Sequence, residues 1–464
     1  MDFDLIIIGS GPGGYIAAIR AAQLGFKTAI IEKEKLGGIC LNWGCIPTKS
    51  LLTSAQILST LKKSSVYGIN YENIQINFSG IIERSRSISE KMSKGINFLM
   101  QKNKITVFFG KAELKEGKKI RIITNDGKEM ECKASFIIIA TGARSKNIHN
   151  LPQDGKKIIG YREALTLSSL PKSLIIVGSG AIGVEFAYFY NAMGVQVTLV
   201  ESNTRIVPLA DIEISHELDK SFKKNGVKVF TSSYLEGVET FKTGVHLSLS
   251  IKDSKKKYKI DADIVLSAVG ITPNIENIGL DTIGISLVKG RILVDDFYRT
   301  NIEGYFAIGD LVDGPSLAHV ASTEAIICVD NIKGLNPSPL DYKNIPSCIY
   351  CIPEISSVGL TEEKAIKKGY KIKVGKFIFS ALGKANANGE TDGFIKVIFD
   401  ANYGEWLGCH MIGKGVTEMI MEAVVARQFE VTAHDILNTI HPHPTLSEGV
   451  IEAIANAYGK CIHL

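Results

Sequence analysis

The chain has 464 residues, 45% of them hydrophobic and 22% charged, with a formal net charge of +5 and both signs interspersed. That balance argues against a nucleic-acid binder, and eight cysteines in this length are too few for a secreted disulfide scaffold. No apolar run reaches the ~18 residues of a membrane span, and the opening MDFDLIIIGSG carries acids where a signal peptide has bases, so a soluble, cytoplasmic protein with no membrane insertion and about three domains is expected.

Residues 4–9, DLIIIG, read as a buried parallel strand. GSGPGG then places Gly9, Gly11 and Gly14 in G-x-G-x-x-G spacing. A helix over Tyr15–Leu24, a stop at Gly25, a strand over Lys27–Ile31 and the terminal acid Glu32 complete the dinucleotide-binding fingerprint. Gly9 permits the tight turn, Gly11 lets a pyrophosphate approach, Gly14 allows close helix packing, and Glu32 accepts from a ribose hydroxyl.

Next comes GGICLNWGCIPTK at 37–49. Pro47 marks a helix start, which places Cys45 near a helix N-terminus, where the dipole favours a thiolate. Lys49 follows one turn later on the same face. The glycines let the loop bend enough for Cys40 and Cys45 to meet. A redox-active dithiol and a pair of buried structural cysteines are both compatible with this stretch alone.

Residues 51–100 read as helical, with the polar tract Ser59–Asn77 as a connection. Ile105–Phe109, Lys119–Ile123 and Met130–Cys132 suggest a small antiparallel insert, and Phe136–Ala140 another buried strand ending at Thr141-Gly142. Then the first unit recurs. LIIVGSGAIGVEFAYFYNAMGVQVTLVE at 174–201 aligns Gly178, Gly180, Gly183, Gly194 and Glu201 with Gly9, Gly11, Gly14, Gly25 and Glu32. Glu201 would bond a ribose 2′-hydroxyl and repel a 2′-phosphate, which favours NAD over NADP. The basic run Lys255–Lys257 reads as a solvated turn.

Asp263–Val269 reads as a strand closing at Gly270, and TNIEGYFAIGD at 300–310 as another, ending at Asp310 before a helix that begins near Ala318. Asp310 is read either as a contact to cofactor hydroxyls or as a helix cap. LNPSPLDYKNI at 335–345 marks a boundary. Beyond it, strands at 349–358, 371–379, 394–399 and 406–412 with helices at 361–368, 415–428 and 447–458 give an α+β domain. HPHPTLSEG at 441–449 holds His443 between prolines. Glu448 either completes a capping box with Thr445 or orients the His443 ring, as a carboxylate does for a base. Cys348 and Cys351, three apart on a strand, would point to opposite faces and stay structural. Cys132, Cys328 and Cys409 read as packing residues, Cys461 is single, and no metal-ligand set is expected.

Taken together, GGICLNWGCIPTK, the two fingerprints, ATG at 140–142, AIGD at 307–310 and HPHPTLSE closely resemble the flavin-dependent pyridine nucleotide–disulfide oxidoreductases over essentially the whole chain. The resemblance implies an α/β protein with two Rossmann-like dinucleotide-binding domains and a C-terminal α+β dimerisation domain. Its divisions would be FAD-binding (1–148), NAD-binding (149–272), central (273–342) and interface (343–464). It implies a Cys40–Cys45 disulfide with Cys45 against the flavin and Cys40 towards substrate. His443 would be the base, Glu448 its orienting group, and Lys49 would pair with Glu185. FAD contacts would fall to Gly9, Gly11, Gly14, Glu32, Lys49, Ala112, Thr141, Gly142, Asp310 and Ala318. NAD contacts would fall to Gly178, Gly180, Gly183, Glu185, Glu201, Val238 and Gly270. The family often has an Arg after that last glycine, where this chain has Ile271 and Thr272.

The resemblance also implies a homodimer whose active site is shared between chains. Within the family it points to the branch acting on dihydrolipoyl groups carried by proteins of 2-oxoacid dehydrogenase or glycine-cleavage complexes. The competing readings are another reductase of the class, such as one for glutathione, a two-nucleotide flavoprotein without disulfide chemistry, and a structural subunit that keeps the fold.

Overall fold

The computed structural model describes residues 1–251 and 256–464. Lys255 of the basic run lies outside them, while Lys257 pairs with Glu236 at 3.0 Å on the surface. The chain forms two compact units, one of Met1–Ser50, Gly80–Lys146 and Ile271–Tyr342, the other of Leu51–Ser79, Asn147–Gly270 and Lys343–Leu464.

The first unit is built on the strand β1 (Asp2–Ile8), the helix α1 (Pro12–Gln23) and the strand β2 (Thr28–Glu32). β1 is flanked in parallel by β2 and by the strand Glu129–Ile139. Leu5, Ile6 and Ile7 are wholly buried, each worth roughly 1.5–3 kcal/mol by transfer from water. After β2 come α2 (Gly38–Trp43), α3 (Cys45–Lys62) and α4 (Phe78–Lys102). Because α3 runs to Lys62, the connection to α4 is shorter than the tract Ser59–Asn77 implied.

The expected antiparallel insert is not separate from the main sheet. β3 (Thr106–Lys115) pairs in parallel with β2 through Thr106–Phe109 and antiparallel with β4 (Lys119–Thr124) through Gly110–Lys115. β5 (Glu129–Ile139) does the same in reverse, meeting β4 first and β1 afterwards. The segments read as Met130–Cys132 and Phe136–Ala140 are therefore one strand. Its burial changes along its length from alternating to continuous, which imitates two strands of different kinds. The strand Tyr305–Ala307 adds in parallel on the far side of β5.

In the second unit, strand Ser173–Val177, helix Ala181–Ala192 and strand Gln196–Val200 repeat the opening of the chain. They sit in a five-stranded parallel sheet with Lys228–Phe230, Ile264–Ser267 and Ile158–Ile159. A three-stranded antiparallel sheet of Ser233–Thr240, Val245–Ile251 and Lys257–Ala262 stands beside it in sequence. The C-terminal part is a five-stranded antiparallel sheet carrying the helices Val416–Gln428 and Glu448–Ala457. The stretch 349–358 divides into strands Ser347–Ile349 and Glu354–Gly359, because Tyr350–Pro353 forms the turn. Cys351 lies in that turn, not on a strand with Cys348. Cys351 is buried, its thiol donating to the Pro353 carbonyl at 3.4 Å.

One buried ion cluster stands out here. Lys396, wholly buried, reaches Asp211 at 3.0 Å, Glu213 at 2.8 Å and Glu362 at 2.6 Å. Burial alone would discharge the ammonium, but the three carboxylates outweigh it and hold the charge. No helix among the described residues is long and apolar enough to cross a membrane.

Candidate active site

Cys40 and Cys45 are joined as a disulfide, with Cα atoms 4.7 Å apart, inside the range such a bond requires. Cys40 lies on the short helix α2 and not in a glycine loop, and Gly44 alone separates α2 from α3, which begins at Cys45. Gly37 caps α2 at φ +94°, open to glycine at little cost. Its N–H donates to the Ser10 carbonyl at 3.0 Å and to Ser10 Oγ at 3.2 Å. A Cβ on Gly38 would lie 2.7 Å from the Gly11 Cα. The dithiol helices thus rest directly on the first glycine turn. Lys49 sits half-buried on α3, one turn beyond Cys45.

α4, which sequence reading treated only as a helix, supplies the support behind this pair. Arg86 donates to the Asn42 carbonyl at 2.8 Å and lies 4.8 Å from the Trp43 ring centre. Ser85 Oγ donates to the Pro47 carbonyl at 3.0 Å, and Ser93 Oγ to that of Leu36 at 2.9 Å. These are serines and arginines on a helix, a pattern that carries no signal of its own in a single sequence.

The first glycine turn brings Gly9, Gly11, Gly14 and Glu32 together. Gly9 has φ +99°, and a Cβ on Gly14 would collide with the Gly9 carbonyl oxygen. Gly11 caps α1 without a side-chain bond, and the space where its Cβ would stand is open. Glu32 is buried and accepts from Ser10 N–H at 3.0 Å, Ser10 Oγ at 2.6 Å and Glu34 N–H at 2.8 Å. Thr141 is tied to Asn274 reciprocally, its hydroxyl donating at 2.6 Å and its carbonyl accepting at 2.9 Å, with Gly142 beside it at φ +66°. Ala112 lies mid-strand on β3, buried in the core opposite Ile122.

Asp310 follows Gly309 in a single 3-10 turn and does not cap the helix Ala318–Lys333, whose N-cap is Leu317 without a side-chain bond. Its partly buried carboxylate has no hydrogen-bond partner among the described residues, and burial raises its pKa despite Arg291 nearby. The uncapped N-termini at Gly11 and Ala318, the open face over Gly11 and the unpartnered Asp310 together fit an anionic, hydroxyl-rich cofactor.

The second glycine turn repeats the first. Gly178 has φ +102°, Gly180 caps its helix without a side-chain bond, and Gly183 packs on the Gly178 carbonyl. Glu201 accepts from Ser179 N–H at 3.0 Å, Ser179 Oγ at 2.6 Å, Asn203 N–H at 2.8 Å and Asn203 Nδ2 at 2.6 Å. Burial would raise its pKa, but these donors outweigh that and lower it. Arg205 is engaged by Glu363 at 2.7 and 3.1 Å, so it does not stand ready for a 2′-phosphate. Glu185 is buried and accepts from the Tyr350 N–H at 3.0 Å. Val238 lies on the strand Ser233–Thr240 opposite Leu247, and Gly270 has φ +112° after the last parallel strand.

His443 lies in the second unit, the dithiol in the first. Its Nδ1 meets Glu448 Oε1 at 2.7 Å, while Glu448 Oε2 accepts from the Thr445 N–H at 2.8 Å. Both alternatives for Glu448 are thus half realised, because one carboxylate has two oxygens. Thr445 does not cap: its hydroxyl donates to the Pro442 carbonyl at 2.8 Å, and the helix N-cap is Ser447. Partial desolvation would raise the Glu448 pKa, but Thr445 and His443 outweigh it and hold it below the usual carboxylate value. With Nδ1 directed at a carboxylate, Nε2 is left to take a proton.

Residues 3–325 match the family described as pyridine nucleotide-disulphide oxidoreductase, and residues 345–454 match the dimerisation domain of the same family. The chain is 46% identical to a dihydrolipoyl dehydrogenase of Zymomonas mobilis, covering 99% of each. It is 42% identical to the Bacillus subtilis protein of that name, covering 100% of this chain and 99% of the other. Among solved structures, LpdA from Mycobacterium tuberculosis superposes with a TM-score of 0.90 at 27% identity, over 97% of this chain and 99% of that one. The flavoprotein disulfide reductase RclA from Escherichia coli does so at 0.87 and 25% identity, over 98% and 99%.

Proposed function

The chain belongs to the pyridine nucleotide-disulphide oxidoreductase family, and from that premise we propose how its residues divide the work. The reaction is the NAD⁺-linked oxidation of dihydrolipoyl groups to lipoyl groups through the Cys40–Cys45 disulfide. The observation that carries this is the disulfide itself, seated at the start of α3 and braced on the first glycine turn.

His443, oriented through Nδ1 by Glu448, takes a proton from one dihydrolipoyl thiol at Nε2. The resulting thiolate attacks Cys40 Sγ, the Cys40–Cys45 bond breaks, and Cys45 leaves as a thiolate under the helix dipole of α3. The second substrate sulfur then attacks the mixed disulfide, releasing the lipoyl ring and a Cys40 thiolate, so two thiols are oxidised and one disulfide reduced. FAD, when bound, relays those two electrons to NAD⁺ as a hydride. Gly11, Glu32, Thr141, Gly142, Asp310 and Ala318 hold FAD, with Lys49 and Ala112 nearby in the same unit. Gly180, Gly183 and Glu201 hold NAD⁺, with Glu185, Val238 and Gly270 lining its domain.

The protein forms a dimer through its C-terminal domain. We assign the His443 that serves each dithiol to the partner chain, a reading supported by the match of residues 345–454 to a dimerisation domain and by its 77% exposed side chain. The lipoyl group arrives on another protein of a 2-oxoacid dehydrogenase or glycine-cleavage complex. Cys132, Cys328 and Cys409 are buried thiols, which suits the reducing cytoplasm. Turnover of dihydrolipoamide with NAD⁺, measured beside that of NADPH with oxidised glutathione, tests the assignment. It requires the first to dominate and NADH to unmask two further titratable thiols; preference for the glutathione couple would overturn it.

A further inference from the structure

Asp310 sits on a short turn whose Asp310 and Val312 carbonyls accept from Arg291, and one buried acid pins the start of that turn from behind. Glu324, 1% exposed on the second turn of the helix Ala318–Lys333, accepts from the Gly309 N–H through Oε2 at 2.6 Å. Its other oxygen accepts from the Tyr342 hydroxyl at 2.7 Å. Since Tyr342 gives its proton to Glu324, the Tyr298 hydroxyl must be the donor in the 3.3 Å contact between the two tyrosines. The Tyr342 ring also closes on the other end of the loop, because a Cβ on Gly314 would stand 2.9 Å from its edge.

Tyr298 is held in the left-handed region at φ +66°, a costly place for an aromatic residue that persists only where the surroundings impose it. Here they do: Tyr298 N–H donates to the Asp295 carbonyl at 2.9 Å, and its own carbonyl accepts from Ala307 at 3.1 Å, two residues before Gly309. Burial, and then the nearby charge of Asp310, push the Glu324 pKa up against the bonds that lower it.

We propose that Glu324, backed by Tyr342 and Tyr298, is the positioning residue that fixes the Gly309–Asp310 turn for FAD. This rests on the assignment of Asp310 to FAD. The network touches no cofactor itself; it removes from binding the cost of ordering the turn.

The test is the dissociation constant for FAD, followed by flavin fluorescence, in Asp310→Ala, Glu324→Ala, Glu324→Gln, Tyr342→Phe and the double variant Asp310→Ala/Glu324→Ala. Glu324→Ala is expected to weaken FAD about 10- to 100-fold, the worth of a charge-assisted bond. Glu324→Gln restores most of that, since its amide oxygen still accepts from Gly309. Tyr342→Phe keeps the ring under Gly314 and is expected to cost about 2- to 10-fold, so it carries the test if Glu324→Ala fails to fold. The double variant should bind FAD no more weakly than Asp310→Ala, because Glu324 acts through Asp310. Additive losses, or an unchanged constant in both Glu324→Ala and Tyr342→Phe, would overturn the inference while leaving Asp310 in its role. An unchanged constant in Asp310→Ala would overturn the Asp310 reading, and the inference with it.

Discussion

The two glycine-turn units, residues 5–32 and 174–201, agree even in their bonds. Ser10 and Ser179 each donate twice to the terminal acid, at 3.0 and 2.6 Å in both cases. In both, the chain leaving the second strand returns one N–H to that serine's carbonyl, Gly37 to Ser10 at 3.0 Å and Val207 to Ser179 at 3.1 Å. They part company immediately afterwards. Gly37 and Gly38 let a helix start on the turn itself, bringing Cys40 with it. Val207, at φ +39°, leads instead to Asp211, which caps the helix Ile212–Lys224 and enters the Lys396 cluster. A common binding frame therefore becomes a redox site in one copy and an anchored helix in the other, through the few residues after the shared contact.

The largest effect expected from breaking this contrast is at the dithiol. Cys40→Ser should abolish dihydrolipoamide turnover and retain FAD, as judged by flavin absorbance after gel filtration; loss of flavin would make the α2–α3 segment a packing element only. For His443→Gln, kcat should fall about 10²- to 10⁴-fold, as for a general base; an unaltered kcat removes that role. On the other side, Lys396→Ala should lower stability by about 3–5 kcal/mol, chiefly by stranding the wholly buried Asp211 carboxylate, with Lys396→Met no better. Denaturant unfolding checks it, and a stability within 1 kcal/mol of the parent, on the scale of an exposed pair, would show that the cluster is not holding the helix. Glu32→Ala and Glu201→Ala should each cost roughly 10- to 100-fold, the first in FAD retention and the second in KM for NAD⁺. Equal effects of both on both nucleotides would erase the division between the copies.

The smallest effect is with pH. Asp211 and Glu213 are desolvated, yet lysine and backbone donors lower their pKa values in the folded chain. Such groups contribute stability that is complete above their unfolded values of about 4 and is lost as pH falls through the folded values. Tm should hold down to about pH 4 and decline below it, and more shallowly in Lys396→Met.

Much of this was legible in the sequence because periodicity and glycine spacing report local backbone demands. Both fingerprints and the disulfide spacing were readable for that reason. What was not legible depended on distant pairing. The insert was separated from the main sheet because β3 and β5 change partners halfway along, which leaves no mark beyond a change in burial rhythm. Asn274 on Thr141, Tyr350 on Glu185 and Glu324 behind Gly309 are long-range bonds from residue types common anywhere. Thr445 lost its expected capping role because the following helix starts three residues later, at Glu448.

His443 stands 77% exposed on a single chain. Under the proposed assignment the dithiol it serves belongs to a different molecule, and catalysis becomes a matter of encounter. Specific activity should fall on dilution once subunits separate, and recover at a rate second order in protein. The quantity of enzyme then sets not only how much reaction occurs but whether each molecule is an enzyme at all.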